Sequence, residues 1–199
     1  MASKIYLGWA EVEEATEYVA AKILEDKYKP DFIVAIARGG LIPGVRLSHI
    51  LKVPMRSIHL SFYDEYNRRL EAPRIIVPLH SDVEVRGKNI LLVDDIADTG
   101  LTLKRAKEYL EGLGVSQIKI ATLAKKPRSI TDPDYYLFIT EKWVVFPWEK
   151  EPLFLLSGKI SEEKREIRAS GDGVLLSFPF FTAQSENDPR AAKTIFVIM

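Results

Sequence analysis

The hydrophobic pattern along the chain alternates between helical and strand-like stretches. Apolar residues recur at helical spacing over 11–26 and predict an amphipathic helix. Residues 31–37 and 89–94 are short apolar runs, and each is followed by a polar loop and a helical pattern, at 41–51 and 101–113. This order predicts an α/β fold, in which a central, mostly parallel sheet is flanked by helices.

Weaker strand patterns lie between and after these elements. They cover the ranges 55–61, 74–79, 117–124, 135–140 and 142–146. Residues 89–124 form a strand–helix–strand unit with short connections, so we expect a right-handed crossover between parallel strands.

The sequence changes character near residue 150. We therefore divide it into a main domain over 1–150 and a C-terminal extension over 151–199. Residues 161–168 are highly charged, and we expect a helix over 157–168. The segment 174–181 is apolar and is expected to form a strand or a contact with a partner. The sequence assigns no role to this extension.

Composition excludes several classes of protein. The 199 residues include 28 Lys and Arg, 28 Asp and Glu, and no Cys. Disulfides, thiol catalysis and Cys-ligated metal sites are therefore excluded. The zero net charge argues against a general affinity for nucleic acid. No apolar run approaches the ~20 residues that span a bilayer, and the first residues lack a signal-peptide core, so we expect a cytoplasmic protein without a membrane partner.

The loop after residues 89–94 carries the most informative chemistry. Asp94 and Asp95 end the strand, and Asp98 precedes a Thr-Gly-x-Thr sequence at the start of the next helix. Backbone N–H groups at a helix start suit a phosphate monoester, and the carboxylates suit a sugar diol or Mg²⁺. A helix cap beside a solvated turn explains any one of these residues but not the whole set.

Residues 90–102, Ile-Leu-Leu-Val-Asp-Asp-Ile-Ala-Asp-Thr-Gly-Leu-Thr, resemble the phosphoribosyl pyrophosphate (PRPP) motif of the type I phosphoribosyltransferases. The segment is neither a Walker A loop nor a dinucleotide-binding fingerprint, because it lacks both glycine patterns. The resemblance implies the type I phosphoribosyltransferase fold with a small hood subdomain. The hood is expected mainly from residues 125–150, and the N-terminus is a further candidate contributor.

The resemblance also implies a role for each residue of this loop. Asp94 and Asp95 are implied to hold the ribose hydroxyls and to bind Mg²⁺, the expected cofactor. Asp98 is implied to be catalytic, because it would take or share the N7 proton of a base. The implied 5′-phosphate site consists of Ala97, Asp98, Thr99, Gly100, Leu101 and Thr102.

Two other segments resemble loops of the same family. In Ala-Arg-Gly-Gly, Arg38 and the backbone around Gly39 are implied to bind the pyrophosphate, next to a strained or cis peptide bond. The polar stretch 61–69 corresponds to a flexible loop that closes over PRPP. Its candidates are Ser61 and Tyr63, although this chain has Ser-Phe-Tyr where the family has Ser-Tyr.

A Lys-Lys-Pro run and a later Trp-x-x-x-Pro-Trp-Glu segment resemble the microbial 6-oxopurine subgroup. The resemblance implies that Lys126 donates to the purine O6 and that Trp143 stacks on the base. Main chain near Val144 and Glu149 would contact the other ring edges. A Lys ammonium has no acceptor for an adenine amino group, so a carbonyl at C6 is favoured. The choice among hypoxanthine, guanine and xanthine remains open.

Together these segments imply a purine-salvage enzyme. It would use Mg²⁺ to transfer the phosphoribosyl group of PRPP to a 6-oxopurine, giving a nucleoside monophosphate and pyrophosphate. We expect a homodimer or homotetramer. Two alternatives remain: a PRPP-sensing regulatory protein that binds nucleic acid, which the zero net charge disfavours, and a phosphoribosyltransferase for adenine or a pyrimidine.

Overall fold

The computed structural model describes residues 3–63, 66, 68–80 and 84–150, and the backbone alone of the strands within 161–168, 175–182 and 196–197. The chain divides into two units, Met1–Pro147 and Trp148–Met199. The elements in chain order are β1 (Lys4–Tyr6), α1 (Trp9–Glu25), β2 (Phe32–Ala37), α2 (Leu41–Leu51), β3 (Met55–Tyr63), β4 (Arg69–Val77), β5 (Asn89–Val93), β6 (Ile96–Ala97), α3 (Leu101–Gly112), β7 (Gln117–Ala121), β8 (Ala124–Lys125), β9 (Phe138–Ile139), β10 (Trp143–Val145), a 3₁₀ turn (Pro147–Glu149), β11 (Ser161–Arg168), β12 (Leu175–Thr182) and β13 (Phe196–Val197).

A five-stranded sheet with the order β4-β3-β2-β5-β7 forms the centre of the first unit. Strand β2 is parallel to β3 and β5, β5 is parallel to β7, and only β4 is antiparallel to its neighbour. Helix α2 leads from β2 outward to β3, while α3 leads from β5 outward to β7 on the other side. The topological switch point, where open α/β sheets bind ligands, therefore lies between β2 and β5.

Both faces of this sheet are covered by helices. Ile33 and Leu91 pack on one face with α1 and α2, and Val34 and Leu92 pack on the other face with α3. Alternate residues of one strand thus enter different cores, and the strand sequences are continuously apolar because both faces are buried. The predicted α/β fold, with a mostly parallel sheet flanked by helices, is confirmed.

Several very short strands lie outside the five-stranded sheet. Strand β1 pairs in parallel with β10, and the backbone N–H of Leu7 donates to the Val145 carbonyl at 3.0 Å. Strands β6, β8 and β9 form a separate parallel sheet. The strand predicted over 135–140 is shortened to β9. The assignment of residues 125–150 to a hood stays a prediction.

Ser61 and Tyr63 lie at the end of β3, which covers the strand predicted over 55–61 and continues two residues further, to Tyr63. Their role in closing over PRPP stays a prediction. Strand β4 begins at Arg69, earlier than predicted, and supplies partners to the end of β3: Ser61 lies opposite Arg74, and Tyr63 opposite Arg69. The register shifts between Ser61 and Tyr63, where the Tyr63 N–H donates to the Ser61 hydroxyl at 2.9 Å.

The second unit contains a three-stranded antiparallel sheet in the order β11-β12-β13. The helix expected over 157–168 is wrong for Ser161–Arg168, which forms β11, while residues 157–160 lie outside the described residues. Pairing with the aromatic-rich strand β12 outweighs the helix propensity of the Glu, Lys and Arg residues in β11. Of the two alternatives expected for 174–181, the structure has the strand, over Leu175–Thr182.

None of the helices among the described residues is both long enough and apolar enough to cross a membrane.

Candidate active site

The loops that follow β2 and β5 come into close contact at the switch point, and two glycines allow this. A Cβ atom added to Gly39 would overlap the Asp95 carboxylate. A Cβ on Gly40 would lie 2.8 Å from the Ile36 carbonyl oxygen and 2.9 Å from the Asp94 Cα, both of which are backbone atoms. The Gly-Gly pair therefore brings the predicted pyrophosphate loop directly against the two adjacent carboxylates.

Arg38 lies at the start of this loop with an exposed side chain. The Ala37–Arg38 peptide bond is cis, which confirms one of the two alternatives expected for this position. Strand β3 continues beyond the end of β2, because His59 pairs with Ala37, the last residue of β2. Ser61 and Tyr63 thus extend past the edge at which Arg38 lies.

Asp94 and Asp95 occupy different environments although they are adjacent. Asp94 is only 9% exposed and accepts a hydrogen bond from the Asp95 N–H at 3.0 Å, whereas Asp95 is half-buried. Burial raises the pKa of Asp94 well above its usual value, and the negative charge of Asp95 raises it further, against hydrogen bonds from the backbone of Asp95 and Gly40. A cation beside this pair would relieve both unfavourable effects.

The two carboxylates fit Mg²⁺ as part of a shared coordination shell. Among the described residues, no cluster of three or more His, Asp or Glu side chains is arranged to hold a metal ion. Mg²⁺ commonly binds through one or two carboxylates and takes its other ligands from substrate phosphates and water. The donor set therefore fits a Mg²⁺ ion that binds together with a phosphorylated substrate.

The predicted phosphate segment runs from the buried Ala97 into the first turn of α3. Gly100 precedes the helix in the left-handed conformation, with φ of +79°, which glycine adopts without strain. Leu101 and Thr102 are the first two helical residues, and N–H groups in the first turn have no partner within the helix. The exposed Thr99 hydroxyl accepts a hydrogen bond from the Leu101 N–H at 3.4 Å. This geometry suits an anion at the start of α3.

Asp98 forms an ion pair that the sequence does not predict. The Arg128 Nε lies 3.1 Å from Asp98 Oδ1, and Arg128 Nη2 contacts the same oxygen. The two residues are 30 positions apart, so no local pattern links them. The only signal in the sequence was a third cation that follows the Lys-Lys-Pro run.

Lys126 connects the phosphate segment to the predicted base site. Its backbone N–H donates to the Ala97 carbonyl at 2.8 Å. Its side chain is buried, only 4% of the residue being exposed, and Nζ donates to the carbonyl of Lys142. Lys142 directly precedes Trp143, whose side chain is 53% exposed, and Val144, which is buried. The structure thus brings the Lys126 ammonium to the strand that carries the predicted stacking residue.

Lys125 points elsewhere, although it is adjacent in sequence. Its Nζ forms an ion pair with Asp132 and lies 4.6 Å from the centroid of the Tyr136 ring. Neighbouring residues on extended backbone direct their side chains to opposite sides. Of the two lysines, Lys126 is therefore the one directed towards β10.

Glu149 lies in the 3₁₀ turn Pro147–Glu149 and belongs to the second unit. Its predicted contact with a base stays a prediction.

Comparison with known proteins gives the family. The family model named "Phosphoribosyl transferase domain" matches residues 3–154, and the chain belongs to this family. A xanthine-guanine phosphoribosyltransferase of Nitratidesulfovibrio vulgaris is 30% identical over 156 residues, which cover 74% of this chain and 86% of the relative. A hypoxanthine-guanine phosphoribosyltransferase of Schizosaccharomyces pombe is 28% identical over 188 residues, covering 75% and 91%.

A solved structure gives the same result at the level of the fold. The crystal structure of a purine phosphoribosyltransferase from Pyrococcus horikoshii Ot3 matches with a TM-score of 0.67 and 46% identity, and the match covers 75% of this chain and 96% of that one. The predicted phosphoribosyltransferase fold is therefore confirmed, and so is the prediction of an enzyme of this family.

Proposed function

We propose that the protein is a purine-salvage enzyme that transfers the 5-phosphoribosyl group of PRPP to a 6-oxopurine in the presence of Mg²⁺. The products are a nucleoside 5′-monophosphate and pyrophosphate. The observation that carries the proposal is the contact of the Gly39–Gly40 backbone with Asp94 and Asp95, at the start of the segment that leads into α3. The names of the two curated relatives favour guanine, hypoxanthine or xanthine as the base.

PRPP would bind across the two contacting loops. The 5′-phosphate lies at the segment from Ala97 to Thr102, where backbone N–H groups begin α3. Asp94 and Asp95 face the ribose hydroxyls, and Arg38 with the Gly39 backbone binds the diphosphate. Bound Mg²⁺ would neutralise charge on the diphosphate as it leaves. The close contact of Gly39 with Asp95 supports this order of groups, because it keeps the diphosphate loop next to the ribose site.

The reaction forms a bond between N9 of the purine and C1 of the ribose, while the bond from C1 to the diphosphate oxygen breaks and its electron pair leaves with pyrophosphate. Positive charge develops on the ribose, and the neighbouring carboxylates stabilise it. A purine with a hydrogen on N7 must lose that proton as N9 attacks. Asp98 accepts it as the general base, and such assistance typically contributes ~10²–10⁴-fold in rate.

Lys126 and Trp143 select the base. The Lys126 ammonium donates to the O6 carbonyl, which an adenine amino group cannot replace as an acceptor. Trp143 offers an exposed ring for stacking, a contact worth ~1–3 kcal/mol in nucleic-acid complexes. Backbone near Val144 contacts another edge of the ring.

The direct test mixes the protein with PRPP, Mg²⁺ and a panel of free bases, and measures the nucleotide formed. We expect product from one or more of hypoxanthine, guanine and xanthine, and none when EDTA removes Mg²⁺. Product from adenine or a pyrimidine alone would contradict the base assignment. No product from any base would contradict the proposed function.

Lys126→Ala is expected to lower kcat/KM for 6-oxopurines by roughly 10–100-fold, the usual effect of losing a hydrogen bond from a charged donor. The KM for PRPP should stay near the wild-type value, because Lys126 points towards β10. Lys125→Ala is the matched control, since the Lys125 ammonium contacts Asp132 instead. Equal losses in the two variants, or an equal loss of PRPP affinity, would exclude Lys126 from base recognition.

A further inference from the structure

We infer that Arg128 is a positioning residue, which holds the Asp98 carboxylate in the orientation that accepts the proton of the base; this inference rests on the proposed function. Arg128 Nε and Nη2 both contact Asp98 Oδ1. Among the described residues, none donates a hydrogen bond to Oδ2. The ion pair therefore fixes one carboxylate oxygen and leaves the other available to the purine N7.

The backbone places Arg128 opposite Asp98. Strands β6 and β8 pair in parallel, and the chain after β8 continues alongside the phosphate segment. The Lys126 N–H donates to the Ala97 carbonyl at 2.8 Å, and the Ile130 N–H donates to the Thr99 carbonyl at 3.0 Å. Arg128 lies midway between these two bonds. It therefore faces Asp98, the residue midway between Ala97 and Thr99.

The charge of Arg128 also reduces the repulsion expected between Asp98 and a bound phosphate in the proposed site. Asp98 belongs to the segment proposed to bind a phosphate dianion, and like charges at a few ångströms repel each other. The guanidinium of Arg128 balances the Asp98 charge within the same segment. The side chains are 59% and 37% exposed, so the pair contributes little to the stability of the fold. The effects of Arg128 to test are therefore the orientation of the Asp98 carboxylate and the balance of its charge.

The test compares Arg128→Gln, Arg128→Lys and a control, Arg46→Gln, in steady-state kinetics with a 6-oxopurine. Arg46 also contacts carboxylates, those of Glu13 and Glu17, but it lies on α2 outside the proposed site. We expect Arg128→Gln to lower kcat by about tenfold with a small change in the KM for the base, and Arg128→Lys to restore part of the loss because it keeps the charge. The melting temperature of each variant should match the wild type.

A double-mutant cycle separates positioning from a structural role. Because Arg128 acts through Asp98, Arg128→Gln should cause no further loss of kcat in the Asp98→Asn background. Equal losses in both backgrounds, or a wild-type kcat for Arg128→Gln, would overturn the inference while the proposed function stands. A wild-type protein that forms no nucleotide from any base would overturn the proposed function, and the inference with it.

Discussion

Asp98→Asn is expected to lower kcat for a 6-oxopurine by roughly 10²–10⁴-fold, the range typical of lost general base catalysis. Asn keeps the size of the side chain and an oxygen for Arg128, but its amide cannot accept the N7 proton. PRPP should bind nearly as well as to the wild type, because the phosphate segment offers backbone N–H groups at the start of α3. The measurement is the separate determination of kcat and of KM for PRPP.

Asp132→Asn provides the matched control for this variant. Asp132 is also paired with a cation, Lys125, but neither residue belongs to the phosphate segment. Its kcat should stay within about twofold of the wild type, because the Asp132 side chain is 77% exposed and has no proposed role in the reaction. Near-wild-type turnover of Asp98→Asn would remove Asp98 from the catalytic role. A large rise in the KM for PRPP with an unchanged kcat would assign it to phosphate binding instead.

The elements with a clear hydrophobic period could be predicted from the sequence. Helix α2 was expected over 41–51 and forms over Leu41–Leu51, and β5 lies within the apolar run expected to be a buried strand. Strands β1 and β6 have three and two residues, too few to carry a period, and their partners lie far along the chain. Such strands form because the folded chain brings their partners, β10 and β8, alongside them.

The local composition of β11 predicts a helix where the structure has a strand. Ser161–Arg168 is rich in Glu, Lys and Arg, which favour helices when no partner is considered. The register of β11 with β12 runs over all eight residues and supplies the hydrogen bonds that an isolated segment lacks. The pairing of two strands cannot be derived from the composition of either strand alone.

The candidate site likewise has a part that one segment of the sequence predicts and a part that only the fold brings together. The carboxylates of Asp94, Asp95 and Asp98 are consecutive or nearly so, and their loop could be recognised from one short segment. The ion pair of Asp98 with Arg128 joins two segments through the parallel pairing of β6 with β8, so only the fold reveals it. The direction of the Lys126 ammonium, opposite to that of Lys125, likewise depends on backbone geometry.

Substitution of either glycine in the loop after β2 is the second change expected to have a large effect, and the two should differ. Gly40→Ala places a methyl group against backbone atoms of Ile36 and Asp94, which cannot move independently of the sheet. We expect a loss of about 1–3 kcal/mol in the free energy of unfolding, typical of overpacking, together with loss of activity. Thermal or denaturant unfolding measures the first effect and the nucleotide assay the second.

Gly39→Ala meets a side chain instead, because its methyl group would displace the Asp95 carboxylate. The stability should therefore stay close to that of the wild type, while kcat/KM for PRPP falls by about 10²-fold, the scale of effect of a misplaced reactive group. Gly112→Ala is the control, since nothing lies within 4 Å of an added Cβ there. If Gly39→Ala kept full activity, the contact between the two loops would not organise the site. If it unfolded like Gly40→Ala, the glycine pair would serve the fold and not the position of Asp95.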